Sequence, residues 1–338
     1  MSIVFIASDS SDVAGVSVNT ATSGDFDANY TDRAFGPQIP SNNFADQQGM
    51  GFSVGTITGD LWVHFRMKAN AVYGPPSAAA FGVFMEFFSA TGASVAAIEV
   101  RGATAGNGWR AAAYGDTTVT GTAFAGPYSA TSTFDIQLTV NTSNIILNVY
   151  MNGVLVSSAT AANSTGLKGK PKFVQEQNTN TFNKSSGTTF PIAHSELVAT
   201  DSESTIGWRV AALRPTGNGA NTAWLGDFND IASIGDGAAI SSATVADKES
   251  WTVNAYAGPA SPSSIRGLVT KYVGSKGTSG PQNIEPLVRL SSVDYMKTPV
   301  TPDNTNPIYA DWTANPATSA PWATADLTSI QIGVRAAT

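Results

Sequence analysis

Few residue patterns in this chain could do chemistry. Gly51-Phe52-Ser53-Val54-Gly55 has the spacing of a nucleophile elbow, in which a strained strand-to-helix turn lifts a serine hydroxyl toward a histidine base. The chain has only two histidines, His64 and His194, and residues 56–60 lead into another strand-like alternation instead of a helix. Ser53 therefore reads as an ordinary strand residue. Two carboxylates facing each other across a cleft could hydrolyse a glycosidic bond. Glu86 shares a pleat face with Phe84 and Phe88, and Glu99 shares one with Val95, Ala97 and Arg101. Neighbouring strands would bring the two together, with Trp62, His64 and Arg66 beside them. Asp25, Asp27 and Asn29 alternate oxygen-bearing side chains in the manner of a loop around a hard cation such as calcium.

Each pattern has a plainer competitor. Tyr30 and Gly36 stand where an EF-hand loop needs its turn glycine and its bidentate glutamate, which excludes that motif. Asp227, Asn229, Asp230 and Asp236 form a second oxygen-rich group, and in both groups capping of local turn amides is the simpler role. Arg66 and Arg101 occupy matching pleat phases, so cross-strand ion pairs account for lone glutamates among aromatics. Trp62, His64, Arg66, Glu86, Glu99 and Arg101 are accordingly candidates for contact with a glycan, and no catalytic residue is assigned.

The elements that would position them are strands. Leu61, Val63, Phe65 and Met67 alternate with Trp62, His64, Arg66 and Lys68; Phe134, Ile136, Leu138 and Val140 alternate with Asp135, Gln137 and Thr139. Asn152-Gly153 between two apolar runs predicts a two-residue hairpin, because both central residues of a type I′ turn take positive φ. Further strands are expected over 2–7, 51–56, 80–88, 94–101, 194–200 and 205–213, then over 240–245, 250–256, 264–273, 284–290 and 329–335. Between these sets the rhythm pauses at 214–237, where Pro215, Gly217, Gly219, Gly226 and Gly235 cluster. The expected organisation is a sandwich over 1–213, a Gly/Pro-rich connection over 214–237, and a second, smaller sandwich over 238–338. In the second, the proline-rich stretch 298–322 should form an extended loop, with a short helix near 325–327. Trp208 and Trp251 are expected in the core by strand phase, whereas Trp312 and Trp322, in the proline-rich loop, are candidates for a subunit contact.

Composition narrows the function. The 338 residues are 42% hydrophobic but only 13% charged, so the core is ample and the surface weakly ionic. With 18 Lys and Arg against 25 Asp and Glu, a net charge of −7 provides no electrostatic footprint for nucleic acid. There is no cysteine, which removes disulfides and thiolate metal sites. The apolar run after Met1 is too short for a signal-peptide core and nowhere do about twenty apolar residues run together, so synthesis in a cytosol without membrane insertion is expected.

Two segments carry more. GWRVAALRPTGNGANTAWLGDFNDI, from Gly207 to Ile231, and NPATSAPWATADLTSIQIGV, from Asn315 to Val334, resemble parts of the jelly-roll structural proteins of tailed bacteriophages and gene-transfer particles. WVHFRMK, FGVFMEFF, FDIQLTV and NVYMNGVLV resemble concanavalin A-like or laminin-G-like jelly rolls. The resemblance implies an all-β protein of two antiparallel, concanavalin A-like sandwiches in tandem. It implies a non-enzymatic virion protein on the particle exterior, in a tail, baseplate, fibre or capsid decoration, with copies of itself and other virion proteins as partners. A loop calcium, common in laminin-G-like domains, would fall to Asp25, Asp27 and Asn29; no other cofactor is implied. The alternative is an adhesin that recognises a host surface glycan through the first sandwich, and a glycan hydrolase stands third, because the acid-rich strand of jelly-roll glucanases is missing around Glu86 and Glu99.

If Ser53, Glu86 and Glu99 are structural or glycan-contacting, the purified protein will hydrolyse neither esters nor bacterial polysaccharide above a buffer control. Turnover abolished by Glu86→Gln or Glu99→Gln would instead establish a glycosidase.

Overall fold

The structure, a computed structural model, describes residues 3–7, 38–39, 51–69, 81–100, 108–127, 130–166, 168–176, 190–231, 238–258, 262, 264–303 and 307–338. The chain forms two compact units, Ser2–Val210 and Ala211–Thr338. The first contains β1 (Ile3–Ala7), β2 (Gln38–Ile39), β3 (Gly51–Ser53), β4 (Leu61–Ala69), β5 (Gly82–Ser89), β6 (Ser94–Val100) and β7 (Gly108–Tyr114). It continues with β8 (Thr118–Thr120), β9 (Phe124–Ala125), β10 (Ser132–Val140), β11 (Asn144–Met151), β12 (Val154–Ala162), β13 (Pro171–Glu176) and β14 (Phe190–Asp201). They make two seven-stranded antiparallel sheets. One is ordered β1-β14-β4-β10-β11-β12 with β2 beside β14, the other β3-β13-β5-β6-β7-β8 with β9 beside β7.

Period-two alternation decides which side chains meet. In the first sheet Phe65, Val63 and Leu61 lie opposite Phe134, Ile136 and Leu138, all inward and buried. The intervening residues pair His64 with Asp135 and Trp62 with Gln137 on the outward side. The inward side of the second sheet sets Phe84, Phe87 and Trp109 among Ala96, Ala111 and Ala113. Small residues there let large rings cross the gap: Trp109 lies 4.7 Å from Phe84 in its own sheet and 5.9 Å from Phe134 in the other, ring centre to ring centre. Gly126 completes the fit, since a Cβ there would collide with the Trp109 indole. Asn152 and Gly153 take φ of 52° and 80° between β11 and β12, as their sequence demands.

Contacts join the two sheets at both edges of the sandwich. At one, Phe5 of β1 stacks on Phe52 of β3 at 4.3 Å. At the other, the amide of Asp116 donates to Ala162 O at 2.7 Å, and the Ser157 hydroxyl accepts from Ala111 N at 3.0 Å while donating to Thr122 O at 2.8 Å. At this second edge the hydrogen bonds occupy backbone groups that would otherwise template pairing with another chain.

The second unit holds β15 (Pro215–Thr222), β16 (Lys248–Val253), β17 (Leu268–Tyr272), β18 (Asn283–Leu290), β19 (Val293–Met296), β20 (Ile308–Trp312) and β21 (Gln331–Ala337). A five-stranded sheet runs β15-β16-β21-β18-β19, and β17 pairs with β20. Val288, Leu290, Trp312, Trp322, Leu327 and Ile330 form the core, with Leu268 and Val253 against it, so the two sheets pack face to face. The protein is therefore all-β.

Several expectations change. The stretch 214–237 is not a connection, because β15 lies within it and pairs with β16. The proline-rich stretch 298–322 contains β20, and the expected helix near 325–327 is one 3-10 turn, Thr324–Leu327. Residues 205–213 form no strand; their polar groups bond to Asp135 and Glu196 instead of a ladder. Trp251 is buried, as its phase predicts, whereas Trp208 is only half-buried. Several strands were not anticipated, among them β7 and β13 on the second sheet. Alanine fills both faces of β7 at Ala111, Ala112 and Ala113, which erases the apolar contrast, and β13 opens with Pro171-Lys172. Among the described residues no helix is long and apolar enough to cross a membrane.

Asp201, at the end of β14, fastens the turn that feeds β4. Its carboxylate accepts from Thr58 N at 2.9 Å, Thr58 Oγ1 at 2.6 Å, Gly59 N at 2.7 Å and Ser202 Oγ at 3.0 Å. Burial pushes its pKa up, but the hydrogen bonds from Thr58, Gly59 and Ser202 outweigh it and bring the value down to about 2, from an ordinary 3.8. A depressed carboxylate pKa stabilises the fold above the unfolded value and loses that contribution as pH falls through the folded one. The unfolding free energy should therefore decline between pH 3.8 and about 2, and Asp201→Asn should flatten that part of the profile while lowering stability at pH 7; urea titrations across the range check both.

Candidate functional site

The expected glycan-contact residues do not converge. Trp62, His64 and Arg66 project from β4 on the outward face of the first sheet, whereas Glu86 and Glu99 project from β5 and β6 on the outward face of the second, on the opposite side of the sandwich. Arg101 lies outside the described residues.

On the first sheet the three residues are built into the fold. Trp62 is buried and stacks on Tyr150 at 5.8 Å. His64, fully buried, places Nδ1 2.8 Å from Asp135 Oδ1, which also accepts from Thr205 Oγ1 at 2.8 Å. Arg66 faces Glu196 at 3.4 Å, and the same carboxylate accepts from Arg209 Nε at 2.8 Å, Arg209 Nη2 at 2.9 Å and Val210 N at 3.0 Å. Glu196 takes φ of 56° where the β14 ladder slips between Ser195 and Val198. That bulge aims its side chain at the 205–210 segment, which it straps to the sheet. Beside it runs a polar ladder: Gln137 donates to Asp60 at 2.8 Å, Asn148 to Gln137 at 3.1 Å and Ser158 to Asn148 at 2.7 Å.

The second sheet's outward face is assembled differently. Arg110 of β7 lies directly opposite Glu99 and grips it through Nε at 2.8 Å and Nη2 at 2.7 Å, while Tyr114 donates its hydroxyl to the other oxygen at 3.2 Å. The guanidinium also sits 3.7 Å over the Phe81 ring. Ala97 and Ala112 pair between these strands, and their small side chains leave room for the phenol to reach Glu99. Burial, then the negative charge of Glu99, its hydrogen bond and the charge of Glu86 push the Tyr114 pKa well above the ordinary range, so the phenol stays a fixed donor. Toward β13, Glu86 lies opposite Gln175 and Phe88 opposite Phe173, whose ring is 48% exposed. Aromatic shelf, amide, carboxylates and guanidinium thus share one face.

Other expectations resolve individually. Ser53 is an exposed β3 residue whose hydroxyl lies 3.4 Å from Lys172 O. Neither histidine serves it: His64 is paired with Asp135, and His194 sits between the sheets, 2.6 Å from Glu176 and edge-on to Phe65. Asp25, Asp27, Asn29 and Asp236 lie outside the described residues. Asp227 and Asp230 accept from the amides of Asn229 and Asp227, the turn-capping role. Among the described residues no group of three or more His, Asp or Glu side chains could hold a metal ion.

Trp312 and Trp322 do not stand at the surface. They are 3% and 4% exposed, Trp322 Nε1 donates to Trp312 O at 2.7 Å, and Trp312 Nε1 to Thr270 Oγ1 at 3.2 Å. The prolines around them fix a path that folds back into the second unit, so the subunit-contact reading gives way to a core one. Arg110, Tyr114, Phe173 and Gln175 escaped the sequence reading because their strands did; the alternation of Arg110, Ala112 and Tyr114 with Trp109, Ala111 and Ala113 was the one signal available.

No family model matches the chain, and no curated protein does. Among solved structures it is similar to the botulinum neurotoxin serotype C1 binding domain, with 12% identity over 42% of this chain and a TM-score of 0.26; the chain spans 33% of that protein. It is also similar to the receptor binding domain of botulinum neurotoxin D, at 12% identity, 84% and 69% coverage and a TM-score of 0.34. A third is the CBM2 module of Lactobacillus casei BL23 phage J-1 evolved Dit, at 11% identity, 49% and 75% coverage and a TM-score of 0.32. At such values the fold rests on the sheets described above and not on the likeness.

Replacing Trp322 with Ala should destabilise the second unit by about 3–5 kcal/mol, the cost of emptying a packed indole site. Urea unfolding followed by near-ultraviolet circular dichroism measures it, and an unchanged transition would return Trp322 to a surface role.

Proposed function

We propose that this chain is a non-enzymatic structural protein on the exterior of a phage virion, and that its first sandwich contacts glycan on a host surface through the outward face of the second sheet. The observation that carries the glycan part is the exposed Phe173 ring beside Gln175 and Glu86, on the same face as the Glu99–Arg110–Tyr114 group. Sugar recognition combines an apolar ring face with a few polar groups held in place, and here the polar groups hold one another. The virion part is supported by the two segments resembling phage jelly-roll proteins and by a cysteine-free, weakly ionic chain folded as tandem sandwiches.

Glu99 is better suited to positioning than to acid catalysis. One oxygen is held by a guanidinium and the other by a phenol, so both are already engaged as acceptors.

Host envelopes incubated with the purified protein should retain it, and Phe173→Ala should weaken retention about tenfold, equivalent to ~1.4 kcal/mol of lost contact. Mass spectrometry of purified particles should find the chain in fixed stoichiometry with other virion proteins. Retention unchanged by Phe173→Ala removes the glycan face, and particles lacking the chain remove the virion assignment.

A further inference from the structure

We infer that two copies of this chain join edge to edge through β19, in an antiparallel pairing centred on Tyr295. β19 ends the five-stranded sheet, with β18 on one side. Ser291 and Ser292, at φ of 46° and 69°, make a two-residue turn between these strands, so Val293 and Leu290 are the first hydrogen-bonded pair. Lys297 N donates to Pro286 O at 2.9 Å, in step with that alternation. The backbone groups of Val293, Tyr295 and Lys297 therefore point at β18, and those of Asp294 and Met296 point away from it. Among the described residues no other hydrogen bond occupies the amide or carbonyl of Asp294 or Met296. Along the same edge Val293 and Met296 are 50% and 38% exposed. Unoccupied backbone groups flanked by apolar side chains are a template for another strand.

A second copy fits because the edge is complementary to itself. A twofold axis at Tyr295 sets Asp294 of each copy opposite Met296 of the other, and each such pair exchanges both of its N–H···O bonds. Tyr295 then meets its own counterpart, and Val293 meets Lys297, so no like charges stand opposite one another. The Asp294 carboxylate is already neutralised by Lys248 at 2.8 Å and by Arg289, and pairing with Met296 strands no charge. Lys297 Nζ lies 4.6 Å from the centre of the Trp312 ring, directed toward its own unit. Beyond it Pro299, with no amide hydrogen, ends the register. The shared edge 293–297 is short and buries far less than the ~800 Å² per partner of a stable interface, so free chains pair weakly and the contact gains strength where many copies are held in one assembly.

Sedimentation velocity of the full chain between about 10 and about 500 μM should show monomer giving way to dimer. Met296→Pro deletes the outward amide hydrogen and no bond to β18, so it should weaken dimerisation about tenfold or more, whereas Met296→Thr, which keeps that hydrogen, should cost less than about threefold. Register is read separately by disulfide cross-linking, for which the chain supplies no cysteine of its own. Val293→Cys mixed with Lys297→Cys should give linked dimers on mild oxidation. Either variant alone should not, because the twofold axis sets 293 opposite 297 and leaves the two copies of either position about 13 Å apart along the strands. Both positions are exposed, so this arm decides the matter even where Met296→Pro does not fold. A chain that stays monomeric throughout, including one whose β19 cross-links in particles to a different protein, overturns the inference. So does a dimer indifferent to Met296→Pro, or one that either single variant links as readily as the mixture. None of these outcomes bears on the glycan face or on the presence of the chain in particles.

Discussion

Trp109 sets the phase of everything around it. Its indole fills the space between the two sheets of the first unit, against Phe84 and Phe134, and only the small neighbours Ala111, Ala113 and Gly126 leave that space open. Because strand side chains alternate, an inward Trp109 forces Arg110, Ala112 and Tyr114 outward. A slip of one residue would bury a guanidinium and a phenol and expel the indole, so the register of β7 is strongly specified. The candidate glycan face is thus a by-product of core packing: the alanines that admit the large rings on one side recur at Ala97 and Ala112 on the other, where they let Tyr114 reach Glu99.

Buried ionisable groups divide the two outward faces by role. On the first sheet His64 with Asp135, and Arg66 and Arg209 with Glu196, sit beneath or within the 205–210 strap and serve to hold it. Removing one member of such a pair leaves its partner buried without compensation, a larger loss than the pair's own net contribution. His194 with Glu176 does the same between the sheets, joining β14 to β13. On the second sheet the Glu99–Arg110 pair is partly open to solvent, 12% and 25% by side chain, which makes it accessible to a ligand and less important to the fold.

How much was legible in the sequence follows from how strongly each strand contrasts its faces. Strands β4 and β10 alternate large apolar with polar residues, and Asn152-Gly153 can hardly be anything but a tight turn, so these were readable. β7 was hidden because alanine serves both its faces, and β13 because its proline and lysine lead resembles a loop. Glu86 and Glu99 could be singled out as lone acids among aromatics. Their partners could not, because Arg110 is brought opposite Glu99 by a hairpin whose loop gives no register signal. The opposite error came from proline. Its density over 298–322 suggested an excursion into solvent, yet fixed φ angles also suit a chain that must return along one path, and Trp312 and Trp322 ride that path into the core.

The same contrast bears on how the outward face of the second sheet is held. Catalysis needs a group able to change its proton or its bonds, and three of the side chains considered for that role are engaged by charged or polar partners: His64 by Asp135, His194 by Glu176, and Glu99 by Arg110 and Tyr114. Binding needs the reverse, groups that do not change. A carboxylate fixed by a guanidinium, a phenol held as a donor and an aromatic ring anchored on a β-strand are already in position before any ligand arrives, so little further ordering opposes association. Rigid strands, more than loops, supply that precision, and the residues of this face come from β5, β6, β7 and β13.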